Sequence, residues 1–257
     1  MNDTFVGKPE DCVGMGQRTS AIMLINIVWI FAYEMNVVTS YRGTERKMAM
    51  KEQIAKKYKE GVREGKGVLA IIFMNIAIFI ALNMIPSLRE QLLLGQDINT
   101  ILGQPWTLFT VFISHELFVH LILNMGILFF FGLELEKVTN SKTVIIVYVL
   151  AGLFGSITFP LTRMFIDRTG LIVGASAAVY GIVGAFGILR PDTVVLRAKG
   201  KMWVWALIFF STLSVILDPQ TLDSDVAHFA GLFLGVICGV WLKKVRQRCL
   251  RNQEAVT

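Results

Sequence analysis

Seven long apolar segments, separated by polar ones, run along the chain. They cover residues 21–38, 68–85, 116–133, 144–161, 171–189, 202–217 and 226–242. An apolar stretch of about 18 residues or more can cross the hydrocarbon core of a bilayer as an α-helix. The first segment is the weakest because it carries Asn26, Glu34 and Asn36. The pattern therefore predicts an all-α polytopic membrane protein, with seven transmembrane helices if the first segment spans and six if it lies at the interface.

Composition and charge agree with a membrane protein. The chain is 54% hydrophobic and only 17% charged, and its net charge of +6 comes from basic residues bunched between apolar segments. Residues 42–66 hold nine Lys and Arg, and the tail after residue 242 holds five, whereas the alternate connections hold few. Basic loops stay in the cytoplasm. This distribution orients the chain and argues against a nucleic-acid partner.

The same pattern divides the chain into five parts. We predict an outer N-terminal tail (1–16), an extra N-terminal hydrophobic helix (17–41), a charged cytoplasmic linker (42–67), a membrane domain (68–242) and a basic cytoplasmic tail (243–257). The first residues lack a basic region, so no cleaved signal peptide is predicted. The short chain suits a prokaryotic plasma membrane.

Four polar side chains stand out within the apolar segments. His115, His120 and His228 are the three histidines of the chain, and Ser176 lies between His120 and His228 in sequence. Ionisable residues in membrane segments are costly and mark functional sites by default. The predicted topology brings all four to one depth, just below the outer surface. We therefore expect the active site near the outer face.

A zinc-protease motif is excluded by spacing. His115 and His120 are five residues apart, which separates them by about 140° around a helix, whereas the zinc motif needs two histidines four apart. The three cysteines, Cys12, Cys238 and Cys249, also lack metal-ligand spacing. The sequence predicts neither a metal nor an organic cofactor.

Ser176 and His228 are the predicted nucleophile and base of a serine hydrolase. Small residues recur every four positions in the segment of His228 and form a small face in the segment of Ser176, which lets two membrane helices approach closely enough for a hydrogen bond. His120 and Asn124, four apart on one helix face, are donors of the right type for an oxyanion. Asp225, three residues before His228, is expected to be an exposed loop charge rather than a third triad member. The small residues are Ala227, Gly231, Gly235 and Gly239 in one segment, and Gly174, Ala177, Ala178, Gly181, Gly184, Ala185 and Gly187 in the other.

These motifs resemble those of the rhomboid family of intramembrane serine proteases. The resemblance runs from about residue 68 to 241 and rests on His115-x4-His120-x3-Asn124, Gly174-Ala175-Ser176 and Ala227-His228-x2-Gly231-x3-Gly235. It implies a six-helix rhomboid core with one extra N-terminal helix.

The resemblance also implies roles for the site residues. Ser176 would be the nucleophile, His228 the base, and His120 and Asn124 the oxyanion hole together with the Ser176 N–H. His115, Tyr180 and Gly174 would support them, with Tyr180 stacked on the catalytic ring. Gly132 and Glu136 match a glycine–glutamate pair of the family, although Glu136 alone reads as a helix-terminal charge beside Lys137.

The chain departs from the family pattern at two positions. Ala177 stands where the family usually has glycine, and Trp106-Thr107 replaces Trp-Arg in the first outer loop. We expect altered packing from the first change and no effect on catalytic groups from the second. Residues 88–104 resemble the family's half-immersed loop.

The implied function is hydrolysis of peptide bonds in or near transmembrane segments of membrane-protein substrates, at small residues, with lipid as the other partner. Two alternatives differ in class. A non-catalytic rhomboid-like protein would bind client transmembrane segments, but such relatives typically lose the serine or the histidine. A transporter would need polar residues that continue to the inner face, and here they thin out beyond mid-membrane.

Overall fold

A computed structural model describes residues 65–95, 98–163 and 173–254. The predicted outer tail, the extra N-terminal helix and almost all of the charged linker lie outside the described residues. The described residues therefore belong to the end of the linker, the membrane domain and most of the basic tail.

The described residues form ten α-helices and one small hairpin. Helices α5 and α6 are joined by a π-helical turn, Leu128–Gly132, into one continuous rod. Short 3-10 turns, Val111–Ile113 and Pro219–Thr221, precede α5 and α10. The helices are α1 (Lys66–Met84), α2 (Leu88–Leu92), α3 (Ile98–Gly103), α4 (Thr107–Thr110), α5 (Phe118–Ile127), α6 (Leu133–Val138), α7 (Ser141–Arg163), α8 (Ser176–Leu189), α9 (Gly200–Leu217) and α10 (Leu222–Glu254).

Five helical segments in the described part of the chain are long and apolar enough to cross a bilayer: α1, the α5–α6 rod, α7, α9 and residues Pro219–Gln247. The all-α polytopic architecture is thus confirmed. The predicted span 171–189 differs, because its helix, α8, begins only at Ser176 and has 14 residues. At 1.5 Å per residue it is about 21 Å long, shorter than the roughly 30 Å hydrocarbon core.

Helix α8 is the centre of the bundle. Every side chain or glycine from Ala177 to Gly187 is buried, and the helix packs against α7, α9 and α10. A helix that is apolar on all sides belongs in a protein core. The central position of α8 explains how it can be short: neighbouring helices, not lipid, surround it.

Glycines set the spacing between α8 and α10. A Cβ atom at Gly239 would lie 2.7 Å from the Ala185 carbonyl oxygen, and one at Gly235 would lie 2.6 Å from the Gly181 Cα. Such distances are too short for any larger residue, so the backbones of the two helices touch. The close approach expected from the small-residue pattern is present along the whole contact.

The first loop, between α1 and α5, is anchored by local hydrogen bonds. The Trp106 indole N–H donates to the Gln91 carbonyl at 2.8 Å, and the Thr110 hydroxyl donates to the Leu92 carbonyl at 2.6 Å. Thr107 is buried and donates to the Gln104 carbonyl. The threonine that replaces the usual arginine is thus part of the folded loop.

A two-stranded hairpin, β1 (Val194–Val195) and β2 (Ala198–Lys199), connects α8 to α9. Leu196 and Arg197 form its turn with positive φ angles of 47° and 64°. Beside it, the hydrogen bond from the Lys201 ammonium lowers the pKa of Asp192. This hairpin was not predicted from the sequence, because its two-residue strands carry no alternating pattern long enough to detect.

Glu136 is a buried capping residue, so the interpretation as a charge beside Lys137 is wrong. Its carboxylate accepts hydrogen bonds from the Gly67 and Val68 N–H groups at 3.0 and 2.9 Å, and from the Ser141 hydroxyl at 2.5 Å. The first N–H groups of a helix have no partner within the helix. Glu136 supplies that partner to α1 and ties it to α6 and α7, while Lys137 pairs with Glu134.

Replacing Glu136 with glutamine should destabilise the protein by about 2 kcal/mol, because one N–H of α1 loses its acceptor and the other loses a charged one. Unfolding in mixed micelles, followed by circular dichroism, measures the change. Glu134→Gln is the control on the same helix. It removes a partly exposed ion pair, so we expect less than about 1 kcal/mol. Equal losses in the two variants would contradict the capping role.

Candidate active site

Ser176 and His228 meet at one end of the helix bundle. Ser176 is the first residue of α8, and His228 lies in the second turn of α10. The Ser176 Oγ is 2.7 Å from the His228 Nε2. The small residues between the two helices allow this contact, since larger ones would hold the backbones apart. The arrangement lets an imidazole accept the proton of a serine hydroxyl.

The Tyr180 ring packs face to face against the His228 ring. The two rings are stacked, with centroids 4.5 Å apart and planes 17° apart. The Tyr180 hydroxyl lies 3.2 Å from the Ser211 hydroxyl of α9. Tyr180 lies one turn after Ser176, so α8 positions both the hydroxyl and the surface on which the imidazole rests.

The segment before Ser176 lies between two histidine rings. Gly174 has a φ of 139°, and a Cβ there would lie 2.6 Å from the His120 Cε1. Both the backbone angle and the close ring require glycine. On the other side the Ala175 N–H donates a long hydrogen bond, 3.5 Å, to the Nε2 of fully buried His115. The His115 and His120 rings contact each other edge to face.

His120 and Asn124 differ in their orientation towards the site. His120 lines the cavity beside Ser176, whereas the Asn124 amide donates one hydrogen bond to the His120 carbonyl at 2.9 Å and is buried. An amide nitrogen has two N–H groups. Asn124 therefore supports the turn that carries His120 with one of these N–H groups.

A cavity of about 260 Å³ adjoins Ser176 and His228. Its apolar walls come from side chains of the first loop and α7, Phe112 and Phe159 among them. Its polar walls come from two histidines and three serines, His120, Ser156, Ser176, Ser224 and His228. This volume holds several water molecules or a small side chain, since one water occupies about 30 Å³.

Gly155 of α7 explains how the chain accommodates Ala177. A Cβ at Gly155 would lie 2.5 Å from the Ala177 Cβ. The methyl group of Ala177 thus occupies space that glycine leaves open on the facing helix, and both residues line the cavity.

Asp225 is not the exposed loop charge that the sequence suggested. It lies in the first turn of α10, and its side chain is 5% exposed. Its Oδ1 is 3.2 Å from the His228 Nδ1. The prediction was wrong because α10 begins at Leu222, so the residue three positions before His228 shares its helix face.

A second polar group of residues was missed in the sequence. The Asn75 amide donates to the Tyr148 hydroxyl at 3.2 Å, and that hydroxyl donates to the Phe112 carbonyl at 2.7 Å. This chain of bonds ties α1 and α7 to the loop residue Phe112, which lines the cavity. Asn75 alone in an apolar segment was the available signal, because such residues need a partner within the membrane.

Comparison with known proteins assigns the fold. The model of the family described as Rhomboid domain matches residues 102–245. The chain belongs to the rhomboid family. The matched region contains the two histidines of α5 and its preceding loop, the α8 serine and the α10 histidine, so the geometry above belongs to the rhomboid domain. With its apolar helices, this rhomboid is an integral membrane protein.

Its relatives come from a fungus, a plant and a bacterium. "Rhomboid protein 1, mitochondrial" of Saccharomyces cerevisiae (strain ATCC 204508 / S288c) is 30% identical over 73% of this chain and 57% of its own length. "RHOMBOID-like protein 5" of Arabidopsis thaliana is 30% identical over 59% of this chain and 52% of its own. "Putative rhomboid protease YdcA" of Bacillus subtilis (strain 168) is 29% identical over 62% and 75%. The chain spans a little over half of the first two.

Proposed function

We propose that this rhomboid is an intramembrane serine protease that uses Ser176 and His228 as a catalytic dyad. The observation that carries the proposal is the 2.7 Å contact between the Ser176 Oγ and the His228 Nε2 beside a cavity that both residues line. A nucleophile and a base within hydrogen-bond reach, next to space for a reacting carbonyl, are the parts that acyl transfer needs.

The reaction takes two steps. His228 removes the Ser176 proton through Nε2, and the Oγ attacks the carbonyl carbon of the scissile peptide. The oxyanion is stabilised by the Ser176 N–H, which has no acceptor within α8 because it begins that helix, by the His120 ring and by the second N–H of Asn124. The protonated imidazole then gives its proton to the leaving amine, and water hydrolyses the acyl-enzyme with the same base.

The substrates we propose are transmembrane segments of other membrane proteins. Peptide groups of a helix are hydrogen-bonded within it, so a segment must unwind locally before its carbonyl reaches Ser176. Helix-weakening residues near the cut lower that cost. The cavity, lined by Phe112 and Phe159, favours a small side chain at the cleaved bond.

The distribution of basic residues supports a location for the site. The loops rich in Lys and Arg follow the opposite ends of the helices from those that carry Ser176 and His228. By the positive-inside rule this end faces outward. We propose the plasma membrane of a prokaryote, with the site near the outer face; the yeast relative's name gives a mitochondrial location for that protein.

Labelling and cleavage together test the protease assignment. The protein in liposomes is treated with a fluorophosphonate probe, which reacts with an activated serine, and is also given a single-span reporter substrate. We expect probe attachment at Ser176, located by peptide mass spectrometry, and a discrete cut in or near the reporter's span. Ser224→Ala is the matched control, because Ser224 also lines the cavity, whereas the side chains bonded to the His228 ring are those of Ser176 and Asp225. A folded wild-type protein that binds the reporter without labelling or cleavage would favour a non-catalytic client-binding protein.

A further inference from the structure

Asp225 is the one charged group that contacts the His228 ring in the described part of the chain. Its Oδ1 lies 3.2 Å from the His228 Nδ1, and its side chain is 5% exposed. The other ring nitrogen, Nε2, is the one bonded to Ser176. The imidazole is therefore contacted on both sides, by a carboxylate and by the hydroxyl that must lose its proton.

This contact would select one tautomer of the imidazole. A carboxylate accepts hydrogen bonds and does not donate them, so the nitrogen facing it carries the proton. With a proton on Nδ1, the Nε2 has a free lone pair aimed at the Ser176 hydroxyl. The opposite tautomer would place a lone pair against the carboxylate and leave no base for Ser176.

The second carboxylate oxygen supports the same conclusion. Oδ2 is buried and has no partner at hydrogen-bond geometry among the described residues, although the hydroxyl groups of Ser214 and Thr221 lie beside the carboxylate. Hydroxyl groups beside a carboxylate favour its ionised form. An imidazolium formed at His228 would lie directly next to this buried negative charge.

Asp223, in the same helix turn, shows what a purely structural aspartate does there. Acidic residues in the first turn of a helix are stabilised by its dipole, and α10 has two of them, Asp223 and Asp225. Both are buried, since each residue as a whole is 3% exposed. Asp223 accepts a hydrogen bond from the Ser224 N–H, whereas Asp225 contacts the ring. The dipole explains an acidic residue here but not its contact with His228.

We propose that Asp225 is a positioning residue that extends the Ser176–His228 pair to a triad. This inference rests on the proposed protease function. The Asp225 carboxylate holds the His228 proton on Nδ1 and stabilises the imidazolium while the Ser176 proton moves to Nε2. In that step the Ser176 O–H bond breaks, the bond from Oγ to the carbonyl carbon forms, and the carbonyl electron pair moves to oxygen. Asp225 stays ionised throughout.

Kinetics of two isosteric variants separate positioning from structure. Asp225→Asn should lower kcat by roughly 10²–10⁴-fold with little change in KM, because the amide can present its N–H₂ to Nδ1 and favour the wrong tautomer. Asp223→Asn removes an equally buried charge from the same turn and should change kcat less than about threefold. Both variants are compared in liposomes with their thermal unfolding. Equal losses of kcat in the two variants would overturn the proposal.

A spectroscopic test needs no activity. The chain has three histidines, so ¹⁵N-histidine labelling gives three pairs of ring signals, one Nδ1 and one Nε2 in each, and the His228 pair is assigned by its loss in His228→Ala. We expect the neutral His228 ring to carry its proton on Nδ1 in the wild type and to lose that preference in Asp225→Asn. A wild-type proton on Nε2 overturns the triad even if Asp225→Asn fails to fold. Undiminished cleavage by Ser176→Ala would instead overturn the protease function itself.

Discussion

Alanine at Ser176 or at His228 should lower kcat for reporter cleavage by about 10⁴-fold or more while leaving the protein folded. Ser176→Ala removes the oxygen that attacks the carbonyl, and His228→Ala removes the base 2.7 Å from it. In serine proteases the nucleophile and its base act as one unit, and loss of either costs about as much as loss of both. Binding of the reporter should change little, because the substrate-binding surface remains.

The double variant tests whether the Ser176 and His228 side chains act as one unit. If the two side chains act together, Ser176→Ala with His228→Ala should cleave no more slowly than either single variant. If they contributed independently, the losses would multiply. The measurement is the single-turnover rate with reporter and enzyme in the same liposomes. Thermal unfolding serves as the folding control, since His228 also stacks on Tyr180 and its loss could loosen α10.

Two results would contradict the dyad. One is cleavage by Ser176→Ala at the wild-type rate, which would assign the activity to another residue or to a contaminant. The other is a double variant whose loss is the product of the two single losses, which would mean that Ser176 and His228 do not act on the same proton. Ser224→Ala, from the same cavity wall, should retain most of the wild-type rate.

The parts of the fold that were predictable are those set by simple periodic patterns. Apolar length predicted the spanning helices, and glycine or alanine at every fourth position predicted the α8–α10 contact. The small residues that recur from Ala227 pack on α8 as expected, because a glycine has no side chain to keep the backbone of the facing helix away. These patterns act locally along one helix and can be read from the chain alone.

The parts that were not predictable depend on where a helix begins and on contacts between distant residues. Asp225 was assigned to a loop because the sequence placed the apolar segment at residue 226, yet α10 starts at Leu222 and turns the carboxylate onto the ring. Glu136 caps α1 across nearly seventy residues of sequence. The Asn75–Tyr148–Phe112 bonds likewise join three separate segments, and no local spacing predicts them.

Gly231→Ala should reduce activity much more than its effect on stability suggests. A Cβ at Gly231 would lie 3.0 Å from the Cα and 2.7 Å from the carbonyl carbon of Ala177, the residue after the nucleophile. Backbone atoms cannot rotate away, so α10 must move from the first turn of α8. Such overpacking costs about 1–3 kcal/mol of stability. His228 lies one turn before Gly231, so the same shift lengthens the Ser176–His228 contact, and a displacement of about 1 Å can cost roughly 100-fold in rate.

Gly239→Ala is the control, because it changes the distance between α8 and α10 far from the site, whereas Gly231→Ala changes it next to Ser176 and His228. A Cβ at Gly239 would meet Ala185 at 2.7 Å from the carbonyl oxygen and 3.0 Å from the Cα, so it also crowds the backbone of α8, although less closely than a Cβ at Gly231 would. Eight residues along α10 place it about 12 Å further from the site. We expect both variants to lose thermal stability, Gly231→Ala the more, and at least about tenfold slower cleavage by Gly231→Ala, because a tilt of α10 at its far end barely changes the Ser176–His228 distance. Equal rates in the two variants would mean that stability, and not the distance between hydroxyl and imidazole, limits the reaction.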